Sequence, residues 1–193
     1  MNILPLTYLG NIEYFSLLCR EDCIIDTHEN YVKQTYRNRC DIMSANGVMS
    51  LTLNLKKPTL GAKCAVRDMR IDYSKNWQHQ HWLSIVSAYR SSAYFEHFEH
   101  IFHPFYHSKY EFLLDYNLEL IEIICKLLGY DNRIKLSENY ITSTDTDKDL
   151  RAHFTPKNNS YKCPEYYQVF GERIAFSPNL SIIDLLFCEN SLL

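Results

Sequence analysis

Glycine is scarce in this chain, five among 193 residues, and neither G-x-x-x-x-G-K-[ST] nor G-x-G-x-x-G occurs. The usual cradle of backbone amides around a phosphate is therefore not encoded, because those motifs need glycine for close backbone approach. There is also no G-x-S-x-G elbow to present a nucleophilic serine. "HEN" at His28 lacks the second histidine of a zinc-binding H-E-x-x-H. A basic excess is missing too, since the formal net charge is -3. Affinity for duplex nucleic acid comes largely from phosphate neutralisation, so this charge argues against DNA or RNA duplex as the main partner. The Lys56-Lys57 pair is too short to change that.

Long apolar runs are absent as well. The best, "LELIEIICKLLG", is interrupted by Glu119, Glu122 and Lys126 and falls short of the roughly 20 residues that span a bilayer. The start, "MNILPLTYLGNIEYF", has no basic region followed by an unbroken apolar one, so it does not read as a secretory signal. The expectation is a soluble, cytoplasmic protein without a membrane span. The seven cysteines are odd in number and irregularly spaced. Their one close pair, "CREDC", is C-x3-C with no matching pair elsewhere, so reduced and mostly buried thiols are expected rather than a disulfide framework.

Aromatic residues are plentiful, with 15 Tyr and 10 Phe, which predicts a core of packed rings with hydroxyls at its edge. The length suits one domain over residues 1–193. "NILPL" reads as a first strand, "NIEYFSLLC" as a helix beginning near Asn11, and "CIIDT" as a buried strand ending at Asp26. "CDIMSANGVMSLTLNL" reads as a hairpin about Asn46-Gly47, and "AVRDMRI" as another short strand. From Trp77 the spacing of Trp82, Ile85, Val86 and Tyr89 is helical. A Ser91 or Ser92 cap should open the next helix, which Pro104 interrupts. Lys109 to Leu128 should form a longer helix with Gly129 as its cap. Residues 137–165 are polar and read as a long surface connection, and Asn179 or Ser181 should start a last helix. The fold class is α/β, a Rossmann-like sheet in the N-terminal half and helices in the C-terminal half, with α+β as the alternative.

The densest run of reactive side chains is "HENYVKQTYRNRC", residues 28–40, directly after the carboxyl end of the predicted second strand. Ligands of open α/β sheets sit at that edge. Arg39 and Asn38 suit a phosphate or carboxylate, because a guanidinium offers bidentate donors; the plainer reading is a polar loop tied by salt bridges. In "NWQHQHW", Trp77 and His81 lie one turn apart and suit a pocket wall, with Trp82 as core. His97, His100, His103 and His107 recur at spacings of three or four, yet they also fit the polar face of a helix that Pro104 bends, and no metal site is assigned to them.

Taken in order, "HENYVKQTYRNRC", "NWQHQHW", "AYRSSAYFEHF", "YYQVF" and "PNLSIIDLLF" resemble the WbqC-like family, through nearly the whole chain. Its members are bacterial and often encoded beside genes for O-antigen or other surface polysaccharides. The resemblance implies a cytoplasmic transferase of polysaccharide biosynthesis, placing a glycyl group on the amine of a nucleotide-linked sugar, or an ATP-dependent amide ligase. The family pattern matches Asn38 and Arg39 with Asp26 upstream, Trp77, Tyr89, and Tyr167, Gln168, Ser181 and Asp184. The start departs from it: the expected Gln is missing and Gly10 stands where a Pro is expected. The implied partners are a nucleotide-linked sugar, activated glycine and other enzymes of the pathway; ATP or another nucleotide is the candidate cofactor. On this reading His28 or His81 is the base, and Lys33, Tyr36, Asn38, Arg39, Trp77, Tyr89 and Gln168 hold substrate. The rival is a non-catalytic protein that binds a sugar nucleotide or stabilises a partner.

Overall fold

The computed structural model describes residues 1–58, 63–130, 134–158 and 160–189. Among these the order is β1 (Asn2–Pro5), α1 (Ile12–Arg20), β2 (Cys23–Asp26), β3 (Arg39–Ser44), β4 (Gly47–Thr52), α2 (Trp77–Tyr89), α3 (Phe95–Phe102), α4 (Leu113–Leu127), β5 (Lys148–Asp149) and α5 (Ile182–Cys188). The chain is thus a mixed helix-and-strand protein with a small parallel sheet and a separate hairpin.

The first three elements form a βαβ unit. β1 is buried along its whole length and runs parallel to β2, from Asn2 opposite Cys23 to Pro5 opposite Asp26. Asn11 caps α1 by accepting from the Tyr14 amide at 3.0 Å, which satisfies one of the orphan donors of the first turn. The sheet order is β2-β1-β5. Beyond β2, Leu136 bridges Ile25 in parallel and widens the sheet by one contact. β5 lies inside the polar tract read as a surface connection. Its pairing of Lys148 with Asn2 and Asp149 with Ile3 brings that tract into the sheet and buries Leu150 and Phe154 behind it.

The hairpin forms as its alternation predicts, with Leu51 buried and Val48, Ser50 and Thr52 exposed. Its loop is Ala45-Asn46, because Ser44 pairs with Gly47; Gly47 itself carries the left-handed φ of +102° that glycine tolerates. Three local expectations are corrected. Val66–Asp68 is a 3-10 turn rather than a strand, and only the residues after it extend, where Ile71 bridges Leu55 and Arg70 bridges Phe112. The Ser92 hydroxyl donates to the Tyr89 carbonyl at 2.7 Å, so it closes α2 instead of opening α3, which starts after Tyr94. Residues before Leu113 stay extended because Phe112 pairs with Arg70, so α4 begins later than its apolar pattern suggests. Gly129 follows α4 with φ +78°.

The core is aromatic, as the composition implies. Trp77, Trp82 and Ile85 of α2, Phe95, Phe98 and Phe102 of α3, and Tyr116, Leu120 and Ile124 of α4 share one core with the fully buried α5. Phe187 of α5 sits among Tyr89, Phe95 and Phe102, with ring centroids 5.2 to 5.5 Å away.

Candidate functional site

The polar stretch after β2 is anchored before it is functional. Asp26, at the end of β2, is fully buried. One of its oxygens accepts from the His28 amide (2.9 Å) and the Ser137 hydroxyl (3.0 Å), and the other pairs with Arg151 (2.6 Å). Arg37 is 2% exposed and grips Glu29 in two bonds of 2.9 and 2.5 Å. It also donates to the Thr35 hydroxyl and the Arg151 carbonyl. Burial pushes the Glu29 carboxyl above its ordinary pKa while Arg37 pulls it the other way. A charge so deep needs its partner, and this clamp fixes the two ends of the loop. Gln34, with φ +60°, turns the chain between them.

Asn38 then joins the loop to the segment after the hairpin. Its side-chain amide donates to the Leu53 carbonyl at 2.9 Å, and its own carbonyl accepts from the Leu53 amide at 2.8 Å. Asn30 and Tyr31 are held against Ala65 and Cys64 by backbone bonds. Lys56 bonds the Arg70 carbonyl through its amide. These three attachments enclose a groove of about 570 Å³, walled by Asn30, Tyr31 and Lys33 on one side and by residues 53–58 on the other, with Lys63, Cys64 and Met69 closing it. The volume is in the range of small-molecule sites. Four lysines line it, Lys33, Lys56, Lys57 and Lys63, and no carboxylate does. All four are exposed, and none is in an ion pair among the described residues. Unpaired ammonium groups around a partly apolar floor suit an anionic ligand with an uncharged part, phosphate being the natural counterion.

The residues singled out from sequence fall into five places. Lys33 and Asn38 meet in the groove. Tyr36 and Arg39 line a second hollow of about 340 Å³ with Asp41, Ser50 and residues 177–180. There Arg39 pairs with Asp41 at 3.3 Å and donates to the Ser50 hydroxyl. Trp77 and His81 sit in the aromatic core. The Trp77 indole donates to the Asp72 carbonyl, and its ring packs on Tyr73, His81 and Tyr116. The His81 ring meets the Tyr8 hydroxyl at 3.1 Å, and burial lowers its pKa to about 4, against a smaller opposing effect of the Thr52 backbone. His28 is half-buried at the sheet edge, with Nδ1 near the Thr27 and Ser137 hydroxyls and Nε2 2.5 Å from Arg67. Neither histidine lines the groove.

The fifth place surrounds Asp184. Tyr89 donates to one of its oxygens at 2.6 Å; Tyr166 (2.5 Å) and Gln168 (3.1 Å) donate to the other. Burial raises the Asp184 pKa, and the three donors oppose the rise. Tyr89 and Gln168 are thus brought together, around a carboxylate whose oxygens are already occupied. The four histidines of α3 and the turn after it do not converge as a set. His103 and His107 stack at 3.8 Å, and among the described residues no group of three or more His, Cys, Asp or Glu is placed to hold a metal.

What sequence reading missed is most of the groove's charge. Lys56 and Lys57 were too short a run to suggest duplex binding, and Lys63 stood alone. Lys56 and Lys57 lie within "NLKKP" after the hairpin, and the Asn38–Leu53 bonds that bring this segment beside the loop of Lys33 are visible only in the fold.

Fold and site together define a small protein of mixed helices and strands with a lysine-lined groove beside the carboxyl edge of its parallel sheet. The model of the WbqC-like protein family matches residues 7–155, and the chain belongs to that family. The matched span takes in every residue of the groove and ends before Tyr166, Gln168 and Asp184. No curated protein and no solved structure matches the chain. Among the described residues no helix is long and apolar enough to cross a membrane.

Proposed function

We propose that the groove binds the phosphate-bearing part of a nucleotide-linked amino sugar, and that the protein transfers an activated glycyl or similar acyl group to that sugar's amine during surface-polysaccharide synthesis. The observation that carries this reading is the set of four unpaired lysines with no carboxylate among them. Lys33, Lys56, Lys57 and Lys63 would neutralise the phosphates, and the Leu53, Leu55 and Met69 floor would take the uncharged part of the ligand. Asn38 is a positioning residue that holds the two walls in register. As the amine attacks, it must lose a proton and the carbonyl oxygen gains charge, so a base and fixed positive donors are both required. His28 is the better placed base, because it is half-buried on the same loop as Lys33, whereas His81 is enclosed by Tyr8, Trp77 and Tyr106.

A second reading has its own support. Because neither histidine lines the groove, the protein can instead be a non-catalytic binder of the same ligand, serving another enzyme of the pathway.

A thermal-shift screen against ATP, UDP-sugars and dTDP-sugars tests the shared part. A ligand bound only to the native state at a hundredfold excess over Kd adds about 2.7 kcal/mol. A nucleotide should raise the melting temperature of the wild type and of Arg39→Ala, but not of Lys56→Glu/Lys57→Glu. If no nucleotide shifts the wild type, both readings fall. If Arg39→Ala alone loses the shift, the ligand sits in the Tyr36–Arg39 hollow. Glycyl transfer that His28→Ala abolishes, with nucleotide binding retained, separates catalysis from binding.

A further inference from the structure

His28 sits just past the carboxyl end of β2 with both ring nitrogens engaged. Its Nδ1 lies 3.2 Å from the Thr27 hydroxyl and 3.3 Å from the Ser137 hydroxyl. Its Nε2 lies 2.5 Å from Nη1 of Arg67. A guanidinium can only donate, so Nε2 must carry a lone pair, and in a neutral ring the proton then sits on Nδ1. The two hydroxyls fit that tautomer. Ser137 spends its own hydrogen on Asp26 at 3.0 Å, and Thr27 spends its hydrogen on the Ser137 carbonyl at 3.4 Å. Both oxygens are therefore left to accept from Nδ1–H. Asp26, Thr27 and Ser137 are all buried. The Thr27 amide donates to the Ser137 hydroxyl at 3.1 Å, and the Ser137 amide donates to the Ile25 carbonyl of β2 at 3.0 Å.

We propose that Thr27 and Ser137 are positioning residues that hold His28 as its Nδ1–H tautomer, so that Nε2 is the basic nitrogen of the site. The hydrogen bond at one ring nitrogen decides which nitrogen is left to act. This inference rests on the reading of His28 as the base for acyl transfer. In that step Nε2 takes the proton that the sugar amine sheds as its nitrogen bonds the glycyl carbonyl carbon. The bond from that carbon to the acyl carrier breaks, and the imidazolium returns the proton to the departing carrier. While the ring is charged, Nδ1–H points through the Ser137 hydroxyl to the Asp26 carboxylate, which orients and favours the cation; no proton passes along that chain. Arg67 covers Nε2 in the free protein, so its guanidinium must turn aside before the amine is served. Its side chain is 47% exposed, and its ion pair with Asp68 is long, at 4.0 Å. The segment that carries it runs between two residues of the groove lining, Cys64 and Met69, so an anion bound there offers the guanidinium another partner.

The test uses the full chain labelled with nitrogen-15 and reads the imidazole nitrogens by NMR at about pH 8.5, where an ordinary histidine is neutral. The expected result is His28 with its proton on Nδ1 and a lone pair on Nε2. Ser137→Ala should mix the two tautomers and lower kcat for glycyl transfer to a UDP-linked amino sugar about tenfold, with KM unchanged. That is part of the roughly hundredfold or more that a positioned base contributes. Because Ser137→Ala also deprives Asp26 of a donor, Thr27→Val is the second variant; it should do the same, and Thr27→Ser, which keeps the hydroxyl, should recover most of the lost rate. A wild type that transfers glycine with the His28 proton on Nε2 overturns the positioning role and leaves the transfer reading intact. Variants that lose stability but keep both tautomer and kcat overturn it as well. A wild type that shows Nδ1–H yet transfers no glycine overturns the transfer reading, and the base role with it.

Discussion

The lysine groove and the Asp184 cluster are built from similar materials, tyrosine, amide and charge, yet they do opposite things with them. Around Asp184 each carboxylate oxygen has its donors, and the group is fully buried. In the groove four ammonium groups face solvent with no counter-charge in the lining. A satisfied buried carboxylate stabilises and specifies the fold, whereas exposed cations held together without partners are, on the proposed reading, available to a ligand. The Glu29–Arg37 clamp shows how the two kinds of site share a loop: its interior charges pair with each other, and its outward Lys33 is left free.

If that contrast is correct, the largest effect comes from the satisfied side. Asp184→Ala leaves Tyr89, Tyr166 and Gln168 with an unfilled cavity and lost acceptors. At about 1–3 kcal/mol for each buried group left unpaired, urea denaturation should show a loss of about 3 kcal/mol or more. Nucleotide binding should survive wherever the variant still folds; its loss in a folded variant would place Asp184 in the binding machinery.

His81 gives the next effect. Its folded pKa, about 4, lies below the ordinary value of about 6.5. Protons therefore bind the unfolded chain more readily, so the stabilisation is complete above pH 6.5 and drains away as pH falls toward 4. At about 1.4 kcal/mol per pH unit this amounts to about 3 kcal/mol, measurable as a drop in urea midpoint over that window. In NMR the His81 ring should stay neutral to about pH 4, and a His81 that titrates near 6.5 would refute its burial.

On the unsatisfied side, Lys56→Glu/Lys57→Glu should weaken nucleotide binding tenfold or more, which is about 1.4 kcal/mol or more. It should change stability by only about 0.5 kcal/mol, as surface changes do. Equal losses of stability and binding would erase the contrast. The smallest effect belongs to Arg39→Ala, which removes a partly exposed pair with Asp41 and should cost about 1 kcal/mol or less in the same unfolding experiment.

How much of this was legible depends on range. The βαβ start, the hairpin and the helix at Trp77 follow from local periodicity and caps, since the residues that decide them are neighbours. β5 was hidden because two residues in a polar tract join a strand at the other end of the chain, and no local pattern encodes that pairing. In the sequence Arg37 is one of several cations in a dense polar run; only the fold shows it inside, gripping Glu29. The polar run that holds Lys33 and Asn38 stood out from its density and its place after β2, and the family resemblance added Lys33 to the candidates. Lys56, Lys57 and Lys63 did not stand out, because a groove is assembled from segments far apart in sequence, and charge density along the chain does not report charge density in space.

The most direct test is a nitrogen–proton NMR titration of the wild type with a UDP-linked amino sugar, read residue by residue. The account predicts shifts concentrated at residues 30–38, 53–57 and 63–69, shrinking as salt rises because the lysines are screened. Shifts centred instead on Arg39, Asp41, Ser50 and residues 177–180, or none at all at millimolar ligand, would contradict it.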